Sequence, residues 1–563
     1  MTIRHVVVRE ESSEKSGAPL NIAGIGEKLP AMTQPNIVII QADQLAAAAL
    51  SPYGNEVVQA PNIEALADGG VIFDRAYCNS PLCAPSRASM MTGMLPSRTG
   101  AFDNASDFPA TTPTLAHRMR SLGYHTALVG RMHFIGPDQL HGFEKRPTSD
   151  VYPADISMIP DWTSGEHQQW FHDTDSVFEA GVSRASVQQD FDEEVVFNSL
   201  RNLTDRAREG RPFLMVSSFI HPHDPYEPPA EHWHRYDGVE IDMPRVGFGD
   251  VPLDPHSRRL LQMCGFDHRM PGQDAVRNAR RAYYSAVSYV DDGIGQILGR
   301  IRRLGLADNT IVIVTADHGD MLGERGLWYK MSPFEQSARV PLIINAPGLL
   351  APRRVGDVVS LVDLLPTLVD LAGGDVDELS GDGSSLLPLA AGTGSDAERQ
   401  VTIEYLAEGL TAPQITLVEE RYKYVHCPAD PDQLYDLAAD PGERVNLAAA
   451  DGLRDSQAEA ALVRLRAEVA ADYDLDALRD RVLDSQADRR VVRHALAQGQ
   501  VPDWDNVPLD DSAQRYVRGD FWGSVNAGRL AGEAGAVRPL ATAPSRHRRG
   551  DDEGQEGEGL AAG

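Results

Sequence analysis

The chain has 563 residues, 42% hydrophobic and 24% charged, with a net charge of −30. That length and ordinary apolar content imply a large globular domain with an appended module. The acidic balance excludes binding along a nucleic-acid backbone, which needs a basic face, and four cysteines without C-x-x-C spacing exclude a disulfide framework or a zinc ribbon.

Residues 1–35 carry Glu10, Glu11 and Glu14 where a secretory signal needs an apolar core. A cytoplasmic protein with a disordered N-terminal arm is expected, with Met32 as an alternative start. No apolar run is long enough to span a membrane. The apolar run 36–42 reads as a buried strand that delivers Asp43 and Gln44 to its C-terminal edge. Cys83-Ala84-Pro85-Ser86-Arg87 follows. Pro85 stiffens this turn, Arg87 supplies a fixed cation, and a helical pattern starts at Ser86. Cys83 therefore lies at a helix N-terminus, where an anion is favoured. Asn104 sits in a turn and is a candidate substrate-binding residue.

A helix over 114–122 precedes a strand over 124–130, which leads to Arg131 and His133. A strand over 213–219 leads to His221-Pro222-His223. Ala279, Tyr283, Ala286, Val290, Ile294, Ile297 and Ile301 keep a helical period and feed the strand 310–316, which ends in Asp317-His318-Gly319. Lys330 follows Trp328 and Tyr329, and another strand covers 341–345. This alternation over 36–375 predicts an α/β domain with helices on both faces of a sheet.

Composition shifts to Gly, Ser, Asp and Ala near residue 374 and through 381–395, which sets a boundary. Residues 376–485 read as a smaller α+β domain with an antiparallel sheet. It pairs strands 415–418 and 422–425 and has a helix from near Asp455 past Val469. Residues 486–526 hold Trp504, Tyr516, Phe521 and Trp522, too many aromatics to stay wet, and read as a tail packed on its own body or in a homo-oligomer. Residues 527–563 are expected to be disordered.

Asp43, Gln44, Asp317 and His318 are the candidate metal ligands. Carboxylates and an amide suit Ca²⁺ or Mg²⁺, and the histidine favours Mn²⁺. A lone Asp at a strand end is usually a helix cap; two such ends around the Cys83 motif point to a metal-assisted hydrolase.

Strand-end Asp43, C-x-P-S-R at Cys83 and the Asp317-His318-Gly319 strand, in that order, resemble the type I sulfatases of the alkaline phosphatase superfamily. The resemblance implies an alkaline-phosphatase-like large mixed sheet flanked by helices. It implies that a maturation enzyme oxidises Cys83 to formylglycine, whose hydrate binds the metal and attacks sulfur. By the same resemblance His133 acts as base on the second hydroxyl. Arg131 stands where the family has lysine. His223 is favoured over His221, and His223 and Lys330 hold the sulfate oxygens and protonate the leaving alkoxide. The segments 76–82, 132–143, 152–155 and 404–409 and the Trp504-Asp505 tail are similar to choline sulfatases. That implies choline O-sulfate as substrate, with Glu404 and Asp505 as carboxylates for the ammonium. Met158 stands where a ring is expected, leaving Tyr152 and Trp162 as aromatic faces. A phosphonate monoester or phosphodiester hydrolase is the alternative on this scaffold; a binding protein with unmatured Cys83 is another.

Overall fold

The computed structural model describes residues 34–165, 172, 174–394, 399–449, 455–509 and 523. The expectations for residues 1–33, for Tyr516, Phe521 and Trp522, and for residues 527–563 lie outside them.

Eight strands form the large sheet: β1 (Asn36–Asp43), β2 (Val71–Tyr77), β3 (His125–Gly130), β4 (Phe213–Pro222), β5 (Thr310–Ala316), β6 (Arg339–Val340), β7 (Leu342–Asn345) and β8 (Arg353–Ser360). Their order is β3-β4-β1-β5-β7-β2-β6, with β8 also on β2. The centre is parallel, β1 pairing β4 and β5, while β7 runs antiparallel to β5 and β2, so the sheet is mixed. Every residue of β1, β4 and β5 is buried, as expected of strands covered on both faces.

Helix α1 (Cys83–Thr92) is buried throughout. Helices α2 (Val187–Glu209) and α3 (Gln273–Arg303) are amphipathic and pack on one another and on β4. Ala279, Tyr283, Ala286, Val290, Ile294, Ile297 and Ile301 line the buried stripe of α3.

The second sheet is antiparallel, in the order β12-β11-β10-β9: β9 (Val401–Tyr405), β10 (Gln414–Val418), β11 (Tyr422–Cys427) and β12 (Asp430–Asp436). Helix α4 (Ser456–Asp472) covers it, capped by Asp455, whose side chain accepts from the N–H groups of Gln457 and Ala458. A small core of Ile415, Leu417, Tyr424, Leu434, Leu462 and Leu465 lies between them. Ile403, Tyr405 and Val482 instead join the main core, so β9 and helix α5 (Leu475–Leu496) are packed into the large domain.

Register places the site. Ala42 pairs with Ala316, so Asp43 and Asp317 leave adjacent parallel strands side by side. Two glycines permit the turns beyond the sheet edge. Gly130 has φ +105°, and a Cβ there would lie 2.1 Å from the Ser218 carbonyl; a Cβ on Gly319 would lie 2.0 Å from that of Gln336.

Candidate active site

Asp43, Cys83, Asp317 and His318 converge above the C-terminal ends of β1 and β5. One ligand atom from each lies within 4.8 Å of all the others, and all four residues are buried. Cys83 Sγ is 3.2 Å from His318 Nε2. His318 Nδ1 lies 3.0 Å from the Gly319 carbonyl, which assigns the proton to Nδ1 and leaves the Nε2 lone pair facing the cluster. Burial opposes charge on Asp43, but the Arg131 and Arg87 guanidiniums outweigh it and hold its pKa low. Asp317 is likewise lowered: burial opposes its charge and Arg87 favours it. Two ionised carboxylates, an imidazole lone pair and a sulfur around one point fit a divalent cation.

Three of the candidate residues are engaged by neighbouring protein groups here. Gln44 binds through its amide. Its Oε1 accepts from Lys330 Nζ at 2.8 Å, while its Nε2 donates to Asp320 at 2.6 Å and Asp224 at 3.2 Å. The two carboxylates fix that orientation. Arg87 does not reach out to a substrate. Its donors go to Asp317 (2.9 Å), Asp43 (3.1 Å), Gln41 (3.2 Å), the Arg131 carbonyl (2.9 Å) and Ser218 Oγ (3.0 Å), so it clamps the strand ends. His221 faces the helix layer. Its Nδ1 is 2.7 Å from Asp192 on α2, and its ring meets Tyr289 on α3.

Arg131 makes an ion pair with Asp43 and lies 4.1 Å over the Tyr152 ring. Its Nη1 is buried and has no hydrogen-bond partner among the described residues. His133 has φ +53°, held by Asp150 Oδ2, which accepts from the N–H groups of Met132 (2.9 Å) and His133 (2.7 Å). Lys330 Nζ lies 2.7 Å from His223 Nε2, and His223 Nδ1 lies 2.6 Å from the Asp224 carbonyl. Burial and then Lys330 push the His223 pKa well down, so this imidazole is neutral. Lys330 stays charged: burial opposes its charge, and the Cys83, Asp224 and Asp43 charges more than offset that. Residues Tyr329 and Met331 on either side have φ of +65° and +72°, a constrained backbone of the kind that fixes functional side chains. Asn104 accepts from the N–H of Ala84 at 3.0 Å, beside Cys83.

The carboxylates expected for an ammonium separate. Glu404 is engaged by Ser97 N (2.6 Å), Ser97 Oγ (2.8 Å) and Tyr473 OH (2.8 Å), which corrects its assignment to the site. Glu408, four residues on, is fully buried, and neither of its oxygens has a hydrogen-bond partner among the described residues. Burial, then the Asp103 charge, raises its pKa to about 8, and it feels Lys330 and Cys83. Asp505 accepts from Ala154 N at 2.9 Å. Trp504, Met158 and Ile159 pack against one small cluster of Ala84, Ala105, Ile135 and Ile156, so an indole joins the cluster that also receives the position where the sequence lacks a ring. Trp162 is buried in the main core and donates from its indole to the Ala407 carbonyl at 2.8 Å.

The sulfatase family profile matches residues 35–374, three-fifths of the chain. The chain belongs to the sulfatase family. Two further profiles match its C-terminal part: "N-sulphoglucosamine sulphohydrolase, C-terminal" over 323–468 and "Choline sulfatase enzyme C terminal" over 480–521. A choline-sulfatase of Rhizobium meliloti (strain 1021) is 43% identical over 497 residues, 86% of this chain and 96% of that one. An arylsulfatase of Clostridium perfringens is 30% identical over 365 residues, 60% and 75% of the two chains. Among solved structures, a phosphonate monoester hydrolase from Silicibacter pomeroyi superposes with TM-score 0.64 at 25% identity, covering 78% of this chain and 95% of that one. A protein solved with its substrate D-glucosamine-2-N,6-O-disulfate gives 0.61 at 23%, covering 79% and 99%. The chain is thus a sulfuric ester hydrolase with the large mixed sheet and the separate antiparallel sheet described above. Among the described residues no helix is long and apolar enough to cross a membrane.

Proposed function

We propose that this sulfatase hydrolyses a small cationic alkyl sulfate, choline O-sulfate foremost, to the alcohol and sulfate. One observation carries the reading. Glu408 is a buried carboxylate whose oxygens accept no hydrogen bond from another residue among the described residues, in electrostatic reach of Lys330 and Cys83. A buried charge of that kind is costly unless a ligand compensates it. A quaternary ammonium does so without donating a hydrogen bond, and the Trp504 indole, packed on the same small cluster as Met158, offers its methyl groups a face. The choline-sulfatase relative supports the same choice.

The chemistry is assigned as follows. Formylglycine made from Cys83 by a maturation enzyme would supply, as its hydrate, the hydroxyl that attacks sulfur. Asp43, Asp317, His318 and the converted residue 83 would hold Ca²⁺ or Mn²⁺, which would favour the ionised hydroxyl and draw charge from the sulfate. Arg87 keeps both aspartates ionised and in place. Arg131 Nη1 and Asn104 bind on the sulfate side. Lys330, charged beside neutral His223, presents a proton to the leaving alkoxide. His133 accepts the second hydroxyl proton, and Asp505 closes the rim against Ala154.

The test compares kcat/KM for choline O-sulfate with that for 3,3-dimethylbutyl sulfate, its neutral isostere. A preference of about tenfold or more for the cation, about 1.4 kcal/mol, is expected; equal values would remove the cationic-alcohol assignment. The phosphonate monoester hydrolase likeness supplies a second reading, and an aryl phosphonate turned over faster than any sulfate ester would replace the first.

A further inference from the structure

Glu408 has a carboxylate with no hydrogen bond from another residue among the described residues, on a pinned backbone. The carbonyl before it, at Ala407, accepts from Trp162 Nε1 at 2.8 Å. The carbonyl after it, at Gly409, accepts from Arg259 Nε at 2.7 Å, and the Arg259 guanidinium is tied to Asp430. Trp162 is itself fixed: its backbone N–H donates to Gln486 Oε1 on α5 at 3.1 Å. Gln486 is wholly buried and Trp162 is 3% exposed. One turn along α5, Arg489 holds Asp103 through two bonds of 2.6 and 2.8 Å, and Asp103 precedes Asn104, which touches the backbone beside Cys83. A single face of α5 therefore braces both sides of the site.

We infer that Gln486 and Trp162 are positioning residues for substrate selection: through the Ala407 carbonyl they fix where the Glu408 carboxylate meets a cationic alcohol. This deepens the reading of Glu408 and rests on it. The physical reason is preorganisation. A carboxylate with no hydrogen bond from another described residue is located by its own backbone and packing, so loosening that backbone loosens the ion contact. Asp43, Asp317 and His318, Arg131 and His133, and His223 lie at or just past the ends of β1, β5, β3 and β4, apart in sequence from the 407–409 segment. A neutral alcohol makes no ion contact to lose.

Trp162→Phe keeps the ring and removes only the indole donor. Sulfate release from choline O-sulfate and from 3,3-dimethylbutyl sulfate is measured on the full-length, metal-loaded wild type and variant. The cation-over-neutral ratio is expected to fall about fivefold, the effect of one lost hydrogen bond. The fall should enter through KM for the cationic ester, with kcat for the neutral ester within about twofold. Gln486→Leu, read by the same ratio, carries the test should the Phe variant not fold. A parallel loss on both esters, or an unchanged ratio, overturns the inference while leaving Glu408 as the cation's partner. A wild-type ratio near one removes the Glu408 reading and this inference with it.

Discussion

Replacing Glu408 by Gln keeps the shape and deletes the charge. Burial followed by the Asp103 charge raises this carboxyl from 4.5 to about 8. The folded, ligand-free protein thus holds a proton that the unfolded chain has released between about pH 4.5 and 8. Its pKa is raised, so the group lowers stability progressively as pH rises through that window, by about 3 kcal/mol at pH 7 relative to low pH. Glu408→Gln should therefore melt higher than wild type at pH 8, and the gap should close toward pH 5. On activity the sign reverses. Losing one partner of a buried ion contact costs about 2–5 kcal/mol. The variant should lose about 30-fold or more in kcat/KM for choline O-sulfate and stay within about threefold for 3,3-dimethylbutyl sulfate. Below about pH 8, protonation of wild-type Glu408 should weaken the cationic substrate alone, giving an acidic limb in kcat/KM that the variant lacks. Calorimetric melts from pH 5 to 8 and paired initial rates decide the matter. Equal losses on both esters, or a melting difference flat with pH, would refute the reasoning.

Further outcomes follow from the same geometry. Asp317→Ala removes a ligand and one of the two ion pairs of Arg87, so bound metal measured by plasma emission should fall together with the rate; unchanged metal content would contradict the ligand assignment. Lys330→Met should cost about 10²–10⁴-fold on alkyl sulfates, whose leaving oxygen needs a proton, and under about tenfold on 4-nitrophenyl sulfate, whose leaving group does not. Equal losses on both would deny Lys330 the role of proton donor.

The sheet and the metal corner were legible because they rest on strand runs. Continuous apolar segments ending in Asp43 and Asp317 predict buried parallel strands, and pairing of Ala42 with Ala316 brings those ends together. What stayed hidden depended on which way a side chain turns. Residue type marks Arg87 as a cation but says nothing of the acceptors that use up its donors. His221 is the penultimate residue of β4 and faces the helices through Asp192, whereas His223 lies past the strand end. Glu404 and Glu408 share one short segment. Glu404 is still within β9 and meets Ser97 and Tyr473; Glu408 lies beyond it, where the chain turns at Gly409 with φ +77°. Helix α5 escaped because its buried face is half polar, with Gln486 and Arg489 continuing the stripe begun by Leu478 and Val482. Gln486 accepts from the Trp162 backbone N–H and Arg489 holds the Asp103 carboxylate, contacts that a hydrophobic periodicity does not register.

The claim on which the rest depends is that residue 83 is an aldehyde hydrate in the working enzyme. The direct measurement is the mass of the tryptic peptide spanning Cys83 from active protein, made in a host with the maturation enzyme. The account predicts a peptide about 18 Da lighter than the thiol form, in a fraction that tracks specific activity across preparations. Full activity in protein whose peptide carries an unaltered cysteine would contradict it.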